Sequence, residues 1–259
     1  MNRKSVLILG GTAEASALAR AIPPRFGDAW FVTTSLAGRT ASPGPVVGCV
    51  RRGGFGGSAG LLRYLAENRV DCVIDATHPF AARISAAARV ACERARVPRL
   101  LLLRSSWRRD PRDRWIEVDD MASAALLVGR LSRRAFLTVG AKEAAAFAPA
   151  RHVHFLLRLI EPPRQPLPFA SCEIVLGRGP FTLAGERRLI ERYRLDLLVS
   201  KASGGSATEA KILAAREEGL PVVMIRRPPP EPGPTVETIE EALLWLEDPL
   251  TAVEERSMR

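Results

Sequence analysis

The chain runs twice through one order of strand, loop and helix, and this internal repetition constrains its fold more than any other feature. Residues 51–104 ("RRGGFGGSAGLLRYLAENRVDCVIDATHPFAARISAAARVACERARVPRLLLLR") parallel residues 177–227 ("GRGPFTLAGERRLIERYRLDLLVSKASGGSATEAKILAAREEGLPVVMIRR"). An Arg-Gly-x-Phe turn opens each copy, Arg52 to Phe55 and Arg178 to Phe181. An Asp then starts the next strand, Asp71 or Asp196, and a Val-Pro or Leu-Pro at Pro98 or Pro221 leads into the last one. Upstream, "LILGGTAEA" matches "LTVGAKEAA", with Gly11 against Gly140. A period this long is not that of a solenoid.

Short apolar runs, "SVLILG", "AWFVTTS", "VDCVIDA" and "RLLLLR", read as buried strands. Helical patterns near 13–22, 57–68 and 80–95 separate them. After a Pro/Arg/Asp-rich stretch (105–115) and a helix near 119–131 the alternation resumes with "AFLTVG", "VHFLLRLI", "CEIVLG", "LDLLVSK" and "PVVMIR". Helices near 141–147, 182–193, 207–218 and 237–246 complete it, and "RRPPPEPGPT" (226–235) reads as a stiff connection. The expected fold is α/β: two similar Rossmann-like, doubly wound parallel-sheet halves facing a central cleft. The expected domains are residues 1–115 and 116–259.

In open α/β sheets ligands bind beyond the carboxyl ends of the strands. That directs attention to loops 10–14, 34–39, 51–57, 75–79, 140–143, 177–181 and 200–206. Gly10-Gly11-Thr12-Ala13-Glu14 is not a G-x-G-x-x-G fingerprint. Its glycines let backbone approach a phosphate at a helix N-terminus, and they suit an ordinary tight turn equally. The second strand ends in Thr34, Ser35 and Arg39 with no acid, a set that favours a ribose 2′-phosphate over a 2′-hydroxyl. Arg51 and Gly53 border the same region.

"IDATHPFA" ends a buried strand at Asp75 and continues through Ala76, Thr77, His78 and Pro79. Pro79 suits a first helical position with Thr77 or His78 as cap. Nicotinamide contact, acid–base work by His78 and capping alone are all open to it. In the second half Lys201 stands at a strand tip, and Gly204-Gly205 form an anion-binding nest. Ser206 with Glu209 reads as a capping box.

Charge narrows the function classes. The chain has 38 basic against 28 acidic residues, net +10, and its only lysines are Lys4, Lys142, Lys201 and Lys211. The arginines are dispersed and aromatics are 6%, unlike the stripes and stacking platforms of nucleic-acid binders. Cys49, Cys72, Cys92 and Cys172 show no CxxC pairing and read as buried thiols. His152 and His154 read as two residues on one strand face without an acidic partner, so no metal site is expected. No apolar run is long enough to cross a bilayer, and Val6–Leu9 is too short for a signal-peptide core. A cytoplasmic protein is expected.

Together "ILGGTAEA", "DATHPFAARIS", "FLTVG", "GRGPF", "LVSKASGG", "TEAK" and "AAREEGLPVVMIRRP" resemble the precorrin-6A and cobalt-precorrin-6A reductases of corrin biosynthesis, in order over almost the whole chain. The resemblance implies NADPH-dependent reduction of a double bond in a polycarboxylate tetrapyrrole, which gives the arginine excess a purpose. It implies that the first half takes the dinucleotide and the second the tetrapyrrole, through Arg178, Gly179, Lys201, Ser203, Gly204 and Gly205. It also implies transient contact with enzymes of neighbouring steps. His78, Lys201, Ser203 and a cleft water are the groups available for chemistry. One departure stands out: family members usually carry Asp or Asn where this chain has Ala202. The alternatives are a cobalt-containing substrate, another NADP-linked oxidoreductase, and a basic nucleic-acid binder.

Overall fold

The computed structural model describes residues 3–38 and 46–249. The chain divides into two units, Met1–Ser105 with Pro228–Arg259, and Ser106–Arg227. The first contains β1 (Lys4–Leu9), α1 (Ala13–Phe26), β2 (Trp30–Leu36), β3 (Cys49–Arg52), α2 (Gly57–Glu67), β4 (Cys72–Asp75), α3 (Ala82–Ala95) and β5 (Arg99–Leu102). The second begins with β6 (Trp115–Val118), α4 (Met121–Leu131), β7 (Arg134–Leu137), α5 (Ala141–Ala144), β8 (His154–Leu159) and β9 (Cys172–Leu176). It continues with α6 (Leu183–Tyr193), β10 (Leu197–Lys201), α7 (Ala210–Glu217) and β11 (Val222–Ile225). Then β12 (Thr235–Val236) and α8 (Ile239–Glu247) rejoin the first unit.

Each unit has a six-stranded sheet, ordered β12-β5-β4-β1-β2-β3 in the first and β6-β11-β10-β7-β8-β9 in the second. Every pairing is parallel. The first order is the doubly wound 3-2-1-4-5-6 arrangement. The second repeats it for five strands, but its sixth place is filled by β6, which precedes the repeat in sequence. The halves have therefore exchanged their sixth strands. The β6–α4 segment following β5 completes the second sheet, and the β12–α8 segment following β11 completes the first.

The exchange corrects the expected domains. Residues 106–115 belong to the second unit, and the chain from Pro228 returns to the first. The cause is local: Leu101 and Leu103 donate backbone N–H groups to the Pro234 and Val236 carbonyls, so the proline-rich connection ends in an edge strand.

The central strands are buried on both faces, which explains their unbroken apolar runs. Val6 and Ile8 pack with Leu18, Ile22, Leu243 and Leu246 on one side of the first sheet. Leu7 and Leu9 pack with Leu61, Leu65, Ala88 and Ala91 on the other. Phe136, Leu156, Leu198 and Met224 meet Ile190 and Ile212 in the second unit. The repeated aspartates are strand clamps. Asp71 Oδ2 accepts the Ser5 N–H at 2.6 Å. Asp196 accepts the Arg133 and Arg134 N–H groups and the Ser132 hydroxyl. Each carboxylate ties the start of the central strand to that of its neighbour.

Candidate functional site

In the first unit the tips of β1, β2 and β4 meet at the turn after β1. Gly10 donates its N–H to the Ser35 carbonyl at 2.9 Å. A Cβ on Gly10 would lie 2.9 Å from Thr34 Cγ2, so this glycine is required sterically. Gly11 has φ +107° and open space where a Cβ would sit, so it is required conformationally. Thr12 caps α1, its Oγ1 accepting the Ala15 N–H at 3.1 Å and donating to the Ala76 carbonyl at 2.7 Å. One hydroxyl thereby fixes the helix start and ties the β1 loop to the β4 loop. Ala13 opens the 14-residue α1, whose positive dipole end faces this turn. Glu14 Oε2 pairs with Arg104 Nη1 at 2.8 Å.

At the second strand tip Thr34 and Ser35 are both buried. The Thr34 methyl lies under Gly10, and its hydroxyl has no partner among the described residues. Arg39 lies outside the described residues. Arg51 donates to the Gly53 and Gly54 carbonyls at 2.6 and 3.0 Å, and its guanidinium stacks 3.8 Å from the Phe55 ring centroid. Gly53 in turn donates its N–H to the Leu36 carbonyl at 2.9 Å.

Asp75 is fully buried. Its Oδ1 accepts the Thr77 N–H at 3.1 Å and hydroxyl at 2.7 Å. Its Oδ2 has no partner among the described residues. The Ala76 N–H goes to the Leu9 carbonyl at 3.0 Å. His78 Nδ1 accepts the Phe80 N–H at 3.2 Å, which places the neutral ring's hydrogen on Nε2. The expected cap is corrected. Pro79 lies in the turn before α3, whose N-cap is Ala81 without a side-chain bond, because Thr77 turns inward to Asp75 and Ser85. Thr12, Glu14, Thr77, Pro79, Leu102 and Arg104 line a shallow cleft here. Arg104 was missed from sequence; a basic residue just past a strand's carboxyl end was the available signal.

The second unit gathers a different set. Lys201 Nζ lies 3.0 and 2.9 Å from Glu143 Oε1 and Oε2. Glu143 Oε2 also accepts the Gly140 N–H at 3.1 Å. Ser203 is buried and donates its N–H to the Lys201 carbonyl at 2.7 Å. The Ala202 and Ser203 carbonyls accept from Arg227 at 3.2 and 3.0 Å. Gly204 and Gly205 have φ +65° and +82°, and the Gly205 carbonyl accepts from Trp107 Nε1 at 3.0 Å. A Cβ on Gly179 would come within 2.7 Å of the Ala207 carbonyl oxygen, so the Arg178-Gly179 loop lies directly against the 3-10 turn that follows Gly204-Gly205. Sequence reasoning also missed Lys211, which is buried, donates to Thr138 Oγ1 at 3.0 Å and stands 5.5 Å from the Trp107 ring centroid.

Three further expectations are corrected. Ser206 and Glu209 form no capping box: a 3-10 turn over Ser206–Thr208 precedes α7, and Glu209 already has helical dihedrals. His152 lies before β8, bonded to the Gly129 carbonyl, while His154 does have an acidic partner in Glu173, at 3.1 Å. The described residues hold no group of three or more His, Cys, Asp or Glu placed to bind a metal. Cys72 and Cys92 are buried, and burial pushes the Cys92 thiol up to about 12, but Cys49 is exposed and Cys172 half-buried. No helix among the described residues is long and apolar enough to cross a membrane.

Comparison with known proteins agrees over this whole frame. The profile of the family described as Precorrin-6x reductase CbiJ/CobK matches residues 5–247. The precorrin-6A reductase of Rhodococcus erythropolis is 45% identical over 242 residues, covering 93% of this chain and 96% of its own. The cobalt-precorrin-6A reductase of Salmonella typhimurium is 29% identical over 243 residues, covering 89% of this chain and 90% of its own. The solved structure described as CobK precorrin-6A reductase superimposes with a TM-score of 0.89 at 40% identity, covering 95% of this chain and 96% of that one. With two six-stranded parallel sheets and a family match spanning both, the chain belongs to the Precorrin-6x reductase CbiJ/CobK family.

Proposed function

We propose that the chain reduces a carbon–carbon double bond of metal-free precorrin-6A, with NADPH as reductant, in cobalamin biosynthesis in the cytoplasm. The carrying observation is the family match over residues 5–247. The metal-free substrate is favoured because the relatives named precorrin-6A reductase are 41–45% identical, against 29% for the cobalt-precorrin-6A reductase of Salmonella typhimurium.

NADPH fits the first unit. A left-handed glycine with open space above it, followed by a capped 14-residue helix, is what a pyrophosphate requires. When bound, NADPH supplies the hydride. Gly10, Gly11, Thr12, Ala13 and Glu14 hold its phosphates, with Glu14 yielding its partner Arg104 to them. Ser35, Arg51 and Gly53 would surround the adenosine end, and Thr34 supports Gly10 from below. Asp75, Ala76, Thr77, His78 and Pro79 orient the nicotinamide end. With Nδ1 taken by Phe80, His78 offers Nε2–H as donor. In the second unit Lys201, fixed by Glu143, supplies a positive charge at a strand tip, and Arg178, Gly179, Ser203, Gly204 and Gly205 bind the tetrapyrrole's carboxylates. Ala202 brings a methyl and no donor, so the proton comes from another group.

The test is oxidation of NADPH followed by absorbance, with metal-free and cobalt-loaded precorrin-6A supplied separately. Turnover of the metal-free compound is expected. Turnover of the cobalt form alone would reassign the substrate, and turnover of neither would remove the proposal.

A further inference from the structure

We propose that Trp107 and Arg227 position the second unit's glycine loop for a carboxylate of the substrate, by fixing which way its backbone N–H groups point. The inference rests on the assignment of that loop to the tetrapyrrole above. The loop leaving β10, residues 202–207, is lopsided in its hydrogen bonding. The carbonyls of Ala202, Ser203, Gly205, Ser206 and Ala207 each accept a hydrogen bond. The Ser203 N–H is spent on the Lys201 carbonyl at 2.7 Å, but those of Gly204, Gly205 and Ser206 have no acceptor among the described residues. Gly204 is buried. A buried N–H without an acceptor is rare in folded chains, and an incoming anion would satisfy it.

Two side chains set this imbalance. The Trp107 indole N–H donates to the Gly205 carbonyl at 3.0 Å. Arg227 donates from Nε to the Ala202 carbonyl at 3.2 Å and from Nη2 to the Ser203 carbonyl at 3.0 Å. In a trans peptide a carbonyl and the N–H of the next residue share one plane and point opposite ways. Holding the Ser203 carbonyl therefore aims the Gly204 N–H. Holding the Gly205 carbonyl aims the Ser206 N–H. The left-handed φ values of Gly204 and Gly205, +65° and +82°, cost a glycine nothing. Arg227 thus controls one donor and Trp107 another.

Backbone N–H groups turned outward in this way suit an anion, and carboxylates are the anions that a tetrapyrrole of this class carries. Lys211 adds positive charge nearby: it is buried, and its ammonium stands 5.5 Å from the Trp107 ring centroid. Trp107 and Arg227 act through the backbone, without touching the substrate themselves. Trp107 also packs against the core of the second unit. Phenylalanine there keeps an apolar ring and removes the N–H.

The experiment is amide-resolved NMR of the whole chain titrated with metal-free precorrin-6A, beside steady-state kinetics with NADPH. In the natural chain the Gly204 and Ser206 amide protons are expected to move downfield as the tetrapyrrole binds. Trp107→Phe should lose the Ser206 shift and keep that of Gly204, and Arg227→Gln should do the reverse. The KM for the tetrapyrrole should rise about fivefold in Trp107→Phe and about tenfold in Arg227→Gln, with kcat and the NADPH Kd within about twofold. With the methyl-esterified substrate, which lacks the charge, both variants should match the natural chain. Loss of both shifts together, or of neither, in either variant overturns the positioning roles. Turnover by a natural chain whose Gly204 and Ser206 amides do not move overturns the inference and leaves the reductase reading intact. Neither binding nor turnover of the tetrapyrrole removes that reading and the inference with it.

Discussion

The turn after β1 and the turn after β7 leave equivalent strands and arrive at different chemistry. Gly11 is left-handed at φ +107°, and a 14-residue helix follows. Gly140, its counterpart, is extended at φ −68°, and a four-residue helix follows. Glu14 and Glu143 correspond, yet Glu14 pairs with an arginine from the tip of β5 and Glu143 with the lysine at the tip of β10. The first turn is a cradle with a long dipole behind it. The second is closed by an ion pair that draws in the Gly140 N–H. The sheets are alike in the two copies and the turns differ, which is what the proposed division of two ligands between them would require.

The largest effect should come from breaking the copies' different ways of holding an arginine on the repeated phenylalanine. Arg158 lies 4.0 Å from the Phe181 ring centroid and is paired with Glu186 at 2.7 Å, the two side chains 8% and 2% exposed. Arg51 does the same over Phe55 with backbone carbonyls as partners. Glu186→Ala leaves a buried charge unpaired and should cost about 3–5 kcal/mol, measured by denaturant unfolding. Arg51→Ala strands no opposite charge and should cost about 1–2 kcal/mol. Equal losses would erase the distinction.

Next comes the pair of glycines. Gly11→Ala forces a side chain into the left-handed region and should cost about 1–2 kcal/mol, with NADPH affinity falling about tenfold or more. Gly140→Ala asks only that Glu143 Oε2 retreat from a 3.3 Å approach and should cost under about 0.5 kcal/mol, leaving NADPH affinity unchanged. If Gly140→Ala weakens the nucleotide as much as Gly11→Ala, the halves do not divide the ligands as proposed. Lys201→Ala supplies the reverse test: the KM for the tetrapyrrole should rise about tenfold while the NADPH Kd stays within about twofold.

The strands that sequence revealed were those packed on both faces. β1, β4 and β10 announce themselves as apolar runs because helices cover both sides. β3, β6 and β12, all edge strands, were missed. "CVRR", "WIEV" and "TV" are two to four residues long and partly exposed, so burial leaves no periodic trace. The exchange of sixth strands was hidden with them. At the site the strand tips were legible as glycine loops. Their partners were not: Arg104, Glu143 and Trp107 reach Glu14, Lys201 and Gly205 only through strand order, across 90, 58 and 98 residues. The misread caps failed for another reason. The Thr77 hydroxyl donates to buried Asp75 instead of accepting a backbone N–H at the helix start.

The smallest expected effect tests the exchanged segments. If β6–α4 and β12–α8 are equivalent pieces that changed places, their helices should begin alike. Asp120 Oδ1 accepts the Ser123 N–H at 2.7 Å at the start of α4. Thr238 accepts the Glu241 N–H at 3.2 Å at the start of α8, and Glu241 reaches back to the Glu237 and Thr238 N–H groups, both at 3.0 Å. The cap thus recurs at the same distance past Val118 and Val236, with the carboxylate moved from the N-cap to N3. These bonds hold the Asp120 carboxyl below its ordinary value through Ser123, and the Glu241 carboxyl through Glu237 first and then Thr238. Because both folded values are depressed, both caps are at full strength above the ordinary carboxylate range. They weaken as pH falls through the lowered values. Carboxyl-carbon NMR titration should therefore give midpoints below 3.8 for Asp120 and below 4.5 for Glu241. Thr238→Ala should cost about 1 kcal/mol and bring the Glu241 midpoint back toward 4.5, while leaving Asp120 unmoved. An undisplaced midpoint at either carboxyl would show that the two exchanged helices are not capped alike.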